Sequence, residues 1–142
     1  MHIQDSKYSQ CLYFTSAAFA RKVEKMAIEV WKEVNLPPSH AYLLMTVLDE
    51  PGIQPSGLSS ELHLQPSTIT RLVEKLEERK LVVRTTEGKL TNIYPTPKAK
   101  ELLPKMKQCI IKISQKYATI LGKDQSCKLV KDIAFFADKL DT

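Results

Sequence analysis

The feature that most constrains this chain is an amphipathic helix predicted to begin at Pro66. Proline suits the first turn of a helix, where its missing N–H is not needed. The residues that follow place apolar side chains at i, i+3, i+4 and i+7, which is one helical face: Ile69, Leu72, Val73 and Leu76. This helix is therefore expected to lie on a core with its other face open.

The open face is polar and free of negative charge over its first two turns. It carries Ser67, Thr70, Arg71 and Glu74, with Thr68 at its flank. No carboxylate occurs between positions 61 and 74 of the sequence. The first two turns therefore offer hydroxyls, a guanidinium and the positive end of the helix dipole to a partner. A helix of this kind is suited to meet polyanionic DNA with its N-terminal end.

A shorter helix is predicted just before it, because residues 54–56 repeat the Gln-Pro-Ser pattern of residues 65–67. Its inner face would carry two leucines, Leu58 and Leu62. Residues 63–64 would make the turn between the two helices. Glutamine is a poor N-cap, so we expect Ser56 and Ser67 to share the capping of these helices.

A small β-hairpin is predicted to follow the longer helix. Residues 81–83 are β-prone, and Glu87 with Gly88 would make the turn, because glycine tolerates a positive φ. Strand alternation then places three side chains on one face of the returning strand: Leu90, Asn92 and Tyr94. The other face would carry Lys89, Thr91 and Ile93.

The segments on either side are predicted to be helical. Residues 1–5 read as a loose tail, and a first helix over residues 6–34 would be ended by the prolines that follow it. Ser39 is expected to cap a second helix. In that helix five side chains would be largely buried: Tyr42, Leu43, Met45, Val47 and Leu48. Beyond the hairpin, Thr96 would cap and Pro97 would open a long helix.

The long helix and a last one, separated from it at residues 122–124, carry more apolar surface than a small winged-helix core can cover. The stripe of the long helix consists of Leu102, Leu103, Met106, Ile110, Ile113, Tyr117, Ile120 and Leu121. That of the last helix consists of Leu129, Ile133, Phe136 and Leu140. From the residues alone, surplus apolar surface indicates a partner.

A helix-turn-helix followed by a hairpin is a winged helix, and residues 39–103 resemble the MarR family of bacterial transcriptional regulators. The most specific part of the resemblance is residues 66–82, PSTITRLVEKLEERKLV, which look like the family's recognition helix and first wing strand. The flanking segments resemble the family in helix order and length.

The resemblance implies a mainly α fold: a winged helix-turn-helix with N- and C-terminal dimerisation helices and a small β-hairpin wing. Residues 1–142 would form one domain, with residues 37–103 as the DNA-binding lobe. Residues 1–36 and 104–142 would interlock with those of a second subunit. Such a homodimer would present two recognition helices to successive major grooves of an imperfect palindrome.

The residues expected to touch DNA lie on and around the recognition helix. Contacts with base edges and nearby phosphates are assigned to Ser67, Thr68, Thr70 and Arg71. Of these, Arg71 can bind guanine through two hydrogen bonds. The alternative for Arg71 is an intrahelical pair with Glu74 or Glu78. Phosphate contacts are assigned to Lys75, Arg84, Lys89 and Ser56, the wing tip reaching the minor groove through Lys89. The alternative for each lysine is a solvated surface.

The wing departs from the usual form of the family. Many members carry an Asp-x-Arg sequence whose arginine enters the minor groove, whereas residues 85–89 are Thr-Thr-Glu-Gly-Lys. Lys89 is therefore only a weak substitute for that arginine.

Cys11 is a candidate redox sensor. Its position resembles that of the reactive cysteine in the peroxide-sensing branch of the family, although the tyrosines of that branch are not clearly matched. A sensor needs an accessible, stabilised thiolate. The alternative is a structural cysteine at the dimer interface. Cys109 and Cys127 are expected to act as small hydrophobes in or beside the helical stripes.

Composition agrees with these expectations. The net charge of +5 and the pI of about 9.1 favour an anionic partner. No apolar run suggests a membrane span or a secretory signal, and three widely spaced cysteines suggest a reducing cytoplasm. Histidine and cysteine spacings give no metal site, and no cofactor or catalytic motif is visible.

The sequence therefore predicts a non-enzymatic, cytoplasmic DNA-binding regulator, chiefly a repressor. It would bind double-stranded DNA as a homodimer and be modulated by a small-molecule effector or by oxidation. The alternative is a winged helix used for protein–protein docking without sequence-specific DNA contact.

Overall fold

The computed structural model describes residues 1–141, which form six α-helices and one two-stranded antiparallel hairpin. The elements in chain order are α1 Leu12–Trp31, α2 Pro38–Asp49, α3 Pro55–Leu62, α4 Pro66–Glu78, β1 Val82–Glu87, β2 Leu90–Pro95, α5 Pro97–Leu121 and α6 Lys123–Lys139. This confirms the predicted fold class of a mainly α winged helix. None of the helices within residues 1–141 is both long and apolar enough to span a membrane.

The helix starts follow the prolines, but the predicted serine caps are wrong. Helices α3 and α4 begin at Pro55 and Pro66, with glutamine at each N-cap and no side-chain capping bond among the described residues. Ser56 and Ser67 therefore lie two positions after the N-cap of each helix. Helix α2 likewise begins at Pro38 rather than after Ser39. A proline at the first helical position makes its predecessor the cap.

The cap predicted for α5 is confirmed. The Thr96 side chain accepts a hydrogen bond from the Ala99 amide at 3.3 Å, and Pro97 is the first residue of the helix. The same hydroxyl donates to the carbonyl of Lys80 at 2.8 Å. Thr96 therefore ties the start of α5 to the end of α4.

The N-terminal helix is shorter than predicted. It runs Leu12–Trp31 and continues as a 3-10 turn Lys32–Val34, while a separate 3-10 turn Ile3–Asp5 occupies the predicted tail. Ser6 and Cys11 both have extended backbones, which interrupt the helix predicted over residues 6–34. The chain then reverses at Asn35, whose φ of 56° is left-handed.

The hairpin matches the prediction with a shift of one residue in its turn. Glu87 pairs with Leu90, so the two turn residues are Gly88 and Lys89, and Lys89 lies outside the strand. Gly88 has a φ of 65°, which suits the tight turn. The predicted alternation is confirmed, since Ile93 is fully buried while Leu90 is half-exposed.

A single hydrophobic core holds the lobe together and extends to α1 and α5. All four predicted apolar residues of α4 are buried, at 0–7% exposure. Tyr42 is a correction, because it is 46% exposed and lies edge-on to the buried Trp31, with ring centroids 5.9 Å apart. Leu43 and Val47 of the same helix are fully buried.

The C-terminal helices leave much of their apolar surface uncovered. Within residues 1–141, α6 has no buried residue. On α5, Met106 and Ile113 are buried, whereas Ile110, Ile120 and Leu121 of the predicted stripe are exposed. The apolar surplus expected from the sequence is therefore present in the single chain.

Candidate nucleic-acid interface

Helix α4 presents its polar face to solvent because its apolar face is fixed in the core. Ser67, Thr70 and Arg71 are exposed, and Thr68 at the flank is half-buried. The first turn holds no acidic residue. The N-terminal half of α4 is therefore an exposed, hydroxyl-rich surface at the positive end of a 13-residue helix.

Arg71 extends from this face without a carboxylate partner among the described residues. The four ion pairs within residues 1–141 join Glu29 with Lys32, Glu33 with Lys112, Glu77 with Arg84, and Lys128 with Asp132. The alternative interpretation, a pair with Glu74 or Glu78, is not the arrangement that the structure adopts. The Arg71 guanidinium keeps its donors available.

Thr70 is partly committed to its own helix. Its hydroxyl donates to the carbonyl of Pro66 at 3.0 Å. In this rotamer the oxygen can still accept a hydrogen bond, for example from an adenine or cytosine amino group. Ser67, one residue into the helix, is exposed.

A basic flank, formed by Lys75 and Arg79, lies beside the exposed polar face of α4. Lys75 and Arg79 are close enough to His40 of α2 that their charges help to hold the pKa of its imidazole below the ordinary value, after burial as the largest cause. His40 is half-buried. Two basic side chains and an imidazole whose pKa is lowered therefore line this side of α4.

Arg84 is held against α4 instead of extending from the wing. Its guanidinium donates to Glu77 Oε1 at 2.9 Å, and both side chains are about one-third exposed. A phosphate contact by Arg84, as predicted, requires this pair to open or to be shared. The pair also fixes the wing strand to the C-terminal half of the recognition helix.

The wing tip is small and mixed in character. Lys89 is exposed in the turn, beside Glu87. The outer face of the hairpin carries the half-exposed apolar side chains of Val83 and Leu90. Ser56, the remaining predicted contact, is exposed at the second position of α3.

The three cysteines lie in different surroundings. Cys11 is exposed at the N-cap of α1, not inside the helix, and lines a shallow surface depression with Tyr8, Phe14 and Arg21. Cys109 is buried as predicted, and burial raises the pKa of its thiol. Cys127 is exposed on α6 in the single chain.

No sequence pattern indicated the bonds that hold the C-terminal end of α4. Arg79 Nη1 donates to the Asn35 carbonyl at 2.6 Å, and Lys98 Nζ donates to the Arg79 carbonyl at 3.1 Å. Both acceptors are backbone oxygens, which leave no residue pattern in a sequence. The only visible signal was a cluster of basic residues around the helix end.

Comparison with known proteins finds similarity to one family in the winged-helix region. Residues 34–89 match the model of the MarR family. Over 87 residues the chain is 28% identical to the HTH-type transcriptional regulator SarZ of Staphylococcus epidermidis, a match that covers 61% of this chain and 59% of SarZ. Less than two thirds of that relative's length is therefore matched.

Solved structures resemble the chain over nearly its whole length. The transcriptional repressor CouR bound to p-coumaroyl-CoA superimposes with a TM-score of 0.84 at 20% identity, covering 96% of this chain and 98% of CouR. The Staphylococcus aureus MepR–DNA complex gives a TM-score of 0.79 at 14% identity, covering 92% of this chain and 98% of MepR. At such identities the likeness concerns the fold.

The family's model matches the winged-helix region, and the fold of the solved regulators extends through the terminal helices. The chain is therefore similar to the MarR family in sequence over residues 34–89, and it shares the fold of solved transcriptional regulators over nearly its whole length.

Proposed function

We propose that this protein is a sequence-specific DNA-binding transcriptional regulator, chiefly a repressor, that acts as a homodimer on a palindromic operator. The observation that carries the proposal is the exposed, carboxylate-free first half of α4, with Arg71 unpaired among the described residues. In this assignment Ser67, Thr68, Thr70 and Arg71 reach base edges and nearby phosphates.

Phosphate contacts around this face are assigned to Ser56, Lys75, Lys89 and Arg84. Lys75 is supported by its position on the basic flank of α4, and Ser56 by its place in the first turn of α3. Arg84 would contact a phosphate only by leaving Glu77, so its contribution is expected to be the smallest of the four cationic or hydroxyl contacts. The net charge of +5 supports an anionic partner.

The proposed dimer places residues 1–36 and 104–142 at the subunit interface and residues 37–103 in the DNA-binding lobe. Its support is the apolar surface of α6 and its C-cap, where Ile133, Phe136 and Leu140 are 50–74% exposed. Contiguous apolar surface of this kind is uncommon on a monomer. A two-fold dimer would set the distance between two recognition helices and hence the half-site spacing.

Control of binding is proposed to come from a small ligand or from oxidation. CouR and MepR have solved structures with p-coumaroyl-CoA and with DNA respectively, which makes ligand-controlled DNA binding a reasonable model for a protein of this fold. Exposure at the start of α1 supports Cys11 as the thiol to test, whereas the buried Cys109, with its raised pKa, is a poor candidate.

A genome-wide selection of bound DNA fragments tests the proposal. The purified protein is incubated with fragments at near-physiological salt, with and without peroxide. We expect enrichment of a palindrome whose half-sites lie about one helical turn apart. If oxidation of Cys11 controls binding, peroxide abolishes enrichment for the wild type and not for Cys11→Ser. Indifference of both would leave a ligand-controlled or a constitutive regulator.

Protein–protein docking remains the second candidate, because the wing lacks an arginine free to enter a minor groove and exposes Val83 and Leu90 on its outer face. If the selection enriches no sequence at all, this second function is favoured. Substituting Leu90 by serine would then weaken capture of the protein partner while leaving the lobe folded.

A further inference from the structure

The C-terminal end of α4 is hydrogen-bonded to two other parts of the chain. Lys98, in the first turn of α5, donates to the carbonyl of Arg79 at 3.1 Å. Thr96 donates to the carbonyl of Lys80 at 2.8 Å. On the opposite side, Arg79 itself reaches Asn35 across 44 residues of sequence and donates to its carbonyl at 2.6 Å.

The acceptor of Arg79 lies at the corner between α1 and α2. Asn35 is the left-handed residue, with a φ of 56°, at which the chain passes from α1 into α2. Its neighbour Leu36 is buried and donates its amide to the carbonyl of Trp31 at 3.5 Å. The corner therefore joins a helix proposed for dimerisation to the lobe proposed for DNA binding.

The N-terminal end of α4 is held by apolar packing, with Ile69 fully buried, and not by side-chain hydrogen bonds to another element among the described residues. Within residues 1–141, its polar side chains bond only to their own helix, as Thr70 does to Pro66. Ser67 lies 12 residues before Arg79, which at 1.5 Å per residue is about 18 Å along the axis. A tilt of about 10° at the fixed end would therefore move Ser67 by about 3 Å, which is enough to lose a base contact.

We propose that Arg79 is a positioning residue for DNA recognition: by bonding the Asn35 carbonyl, it couples the α1–α2 corner to the recognition helix and fixes the tilt at which α4 meets DNA. The inference rests on the proposed function, since it assigns a role in the same interface. Arg79 touches no base in this account; it acts through the orientation of Ser67 and Arg71.

A contact between Arg79 and a phosphate is the rival explanation for any loss of binding in an Arg79 variant. The two differ in a measurable way. A lost phosphate contact weakens binding to all sequences alike and lowers the salt slope by about one. A lost orientation weakens specific binding while leaving non-specific binding unchanged, because non-specific complexes depend on charge.

The experiment compares three variants: Arg79→Ala removes the bond, Arg79→Lys keeps the charge with a shorter and single donor, and Lys80→Ala removes a charge at the adjacent residue. The probes are the duplex selected by the wild-type protein and a shuffled duplex of the same length. For Arg79→Ala we expect affinity for the selected duplex to fall by about tenfold, with affinity for the shuffled duplex within about twofold. Arg79→Lys should be intermediate and Lys80→Ala near wild type.

Hydrogen exchange measured without DNA tests the coupling independently of the proposed function. Arg79→Ala should speed amide exchange in peptides covering residues 32–37 and 76–81, and not in the end of α3 at residues 59–64. Unchanged exchange in the first two regions would overturn the coupling whatever the DNA result. Equal loss on both duplexes, or equal loss in Lys80→Ala, would overturn the positioning role in favour of charge alone. A wild type without specific binding, but with the expected exchange, would reject the proposed function and keep the coupling.

Discussion

Helices α4 and α6 have similar apolar stripes in their sequences, but only the stripe of α4 is buried in the structure. On α4, the stripe of four residues is 0–7% exposed. On α6 and its C-cap, Ile133, Phe136 and Leu140 are 50–74% exposed. The lobe around α4 completes its core within one chain, whereas α6 does not. Apolar periodicity therefore identifies a helix, and the number of neighbouring elements decides whether its stripe is covered by its own chain.

Truncating one leucine in each region should give the largest difference in the free energy of unfolding between the two regions. Leu44 is fully buried in α2, so Leu44→Ala should lower the free energy of unfolding by about 2–5 kcal/mol through lost transfer energy and a cavity. Leu140 is 74% exposed in the single chain, so Leu140→Ala, measured at a protein concentration at which both variants are monomeric, is the matched control. Urea denaturation measures both. Equal losses in the two variants would mean that the lobe is not the stability-determining unit.

A charge placed on the open stripe of α6 should affect association. We expect Ile133→Asp to raise the dimer dissociation constant by about a hundredfold, because a carboxylate would have to be buried at the interface. Lys131→Asp, on the opposite side of α6, is the control and should leave it nearly unchanged. Sedimentation equilibrium at moderate salt reports the result. A dimer unaffected by Ile133→Asp would place the interface elsewhere.

On the recognition helix, removal of Arg71 should reduce binding and leave folding alone. Arg71→Ala is expected to weaken binding to the selected duplex by about 1–3 kcal/mol, because a bidentate base contact is lost from an exposed site. Arg84→Ala should cost less, since Arg84 already pairs with Glu77. Fluorescence anisotropy with labelled duplex gives both values. An unchanged affinity for Arg71→Ala would remove this residue from the interface.

The end of α4 offers a stabilising change. Lys80 occupies the left-handed position of the cap, with a φ of 61°, while Lys80 and Leu81 donate amides to Glu77 and Leu76 at 2.9 Å each. Lys80→Gly should raise the unfolding free energy by about 0.5–1 kcal/mol, because glycine adopts this conformation without strain. Lys80→Ala, which keeps the strain, should give no such gain in thermal denaturation.

His40 should give the smallest effect, visible only at acid pH. Burial first, and then the charges of Lys75 and Arg79, hold the pKa of its imidazole below the ordinary value. The unfolded chain therefore binds this proton more readily, so stability falls as the pH drops below the ordinary imidazole pKa. His40→Asn should lose less stability than the wild type between pH 7.5 and pH 5. An equal loss would show that other groups control the acid response.

Local sequence signals predicted the elements of the lobe well. Pro55, Pro66 and Pro97 each mark the first residue of a helix, because a missing N–H costs nothing there. The spacing from Ile69 to Leu76 identified the buried face of α4 correctly. These features depend on neighbouring residues alone, so they can be read without knowing the fold.

Features that depend on distant contacts could not be predicted in the same way. Nothing in the sequence indicates that Arg84 pairs with Glu77 and does not extend from the wing. The bond from Arg79 to Asn35 joins a side chain to a backbone oxygen 44 residues away. Tyr42 was expected to be largely buried, but it is 46% exposed and lies edge-on to the buried Trp31.

The most direct test of the account is a salt titration of DNA binding by the wild-type protein, with the selected duplex and a shuffled one. If α4 and its basic flank make about six phosphate contacts, the logarithm of affinity should fall with that of salt concentration with a slope of about −5. The selected duplex should bind at least about a thousandfold more tightly at physiological salt. A flat salt dependence, or equal affinity for the two duplexes, would contradict a sequence-reading role for the exposed face of α4.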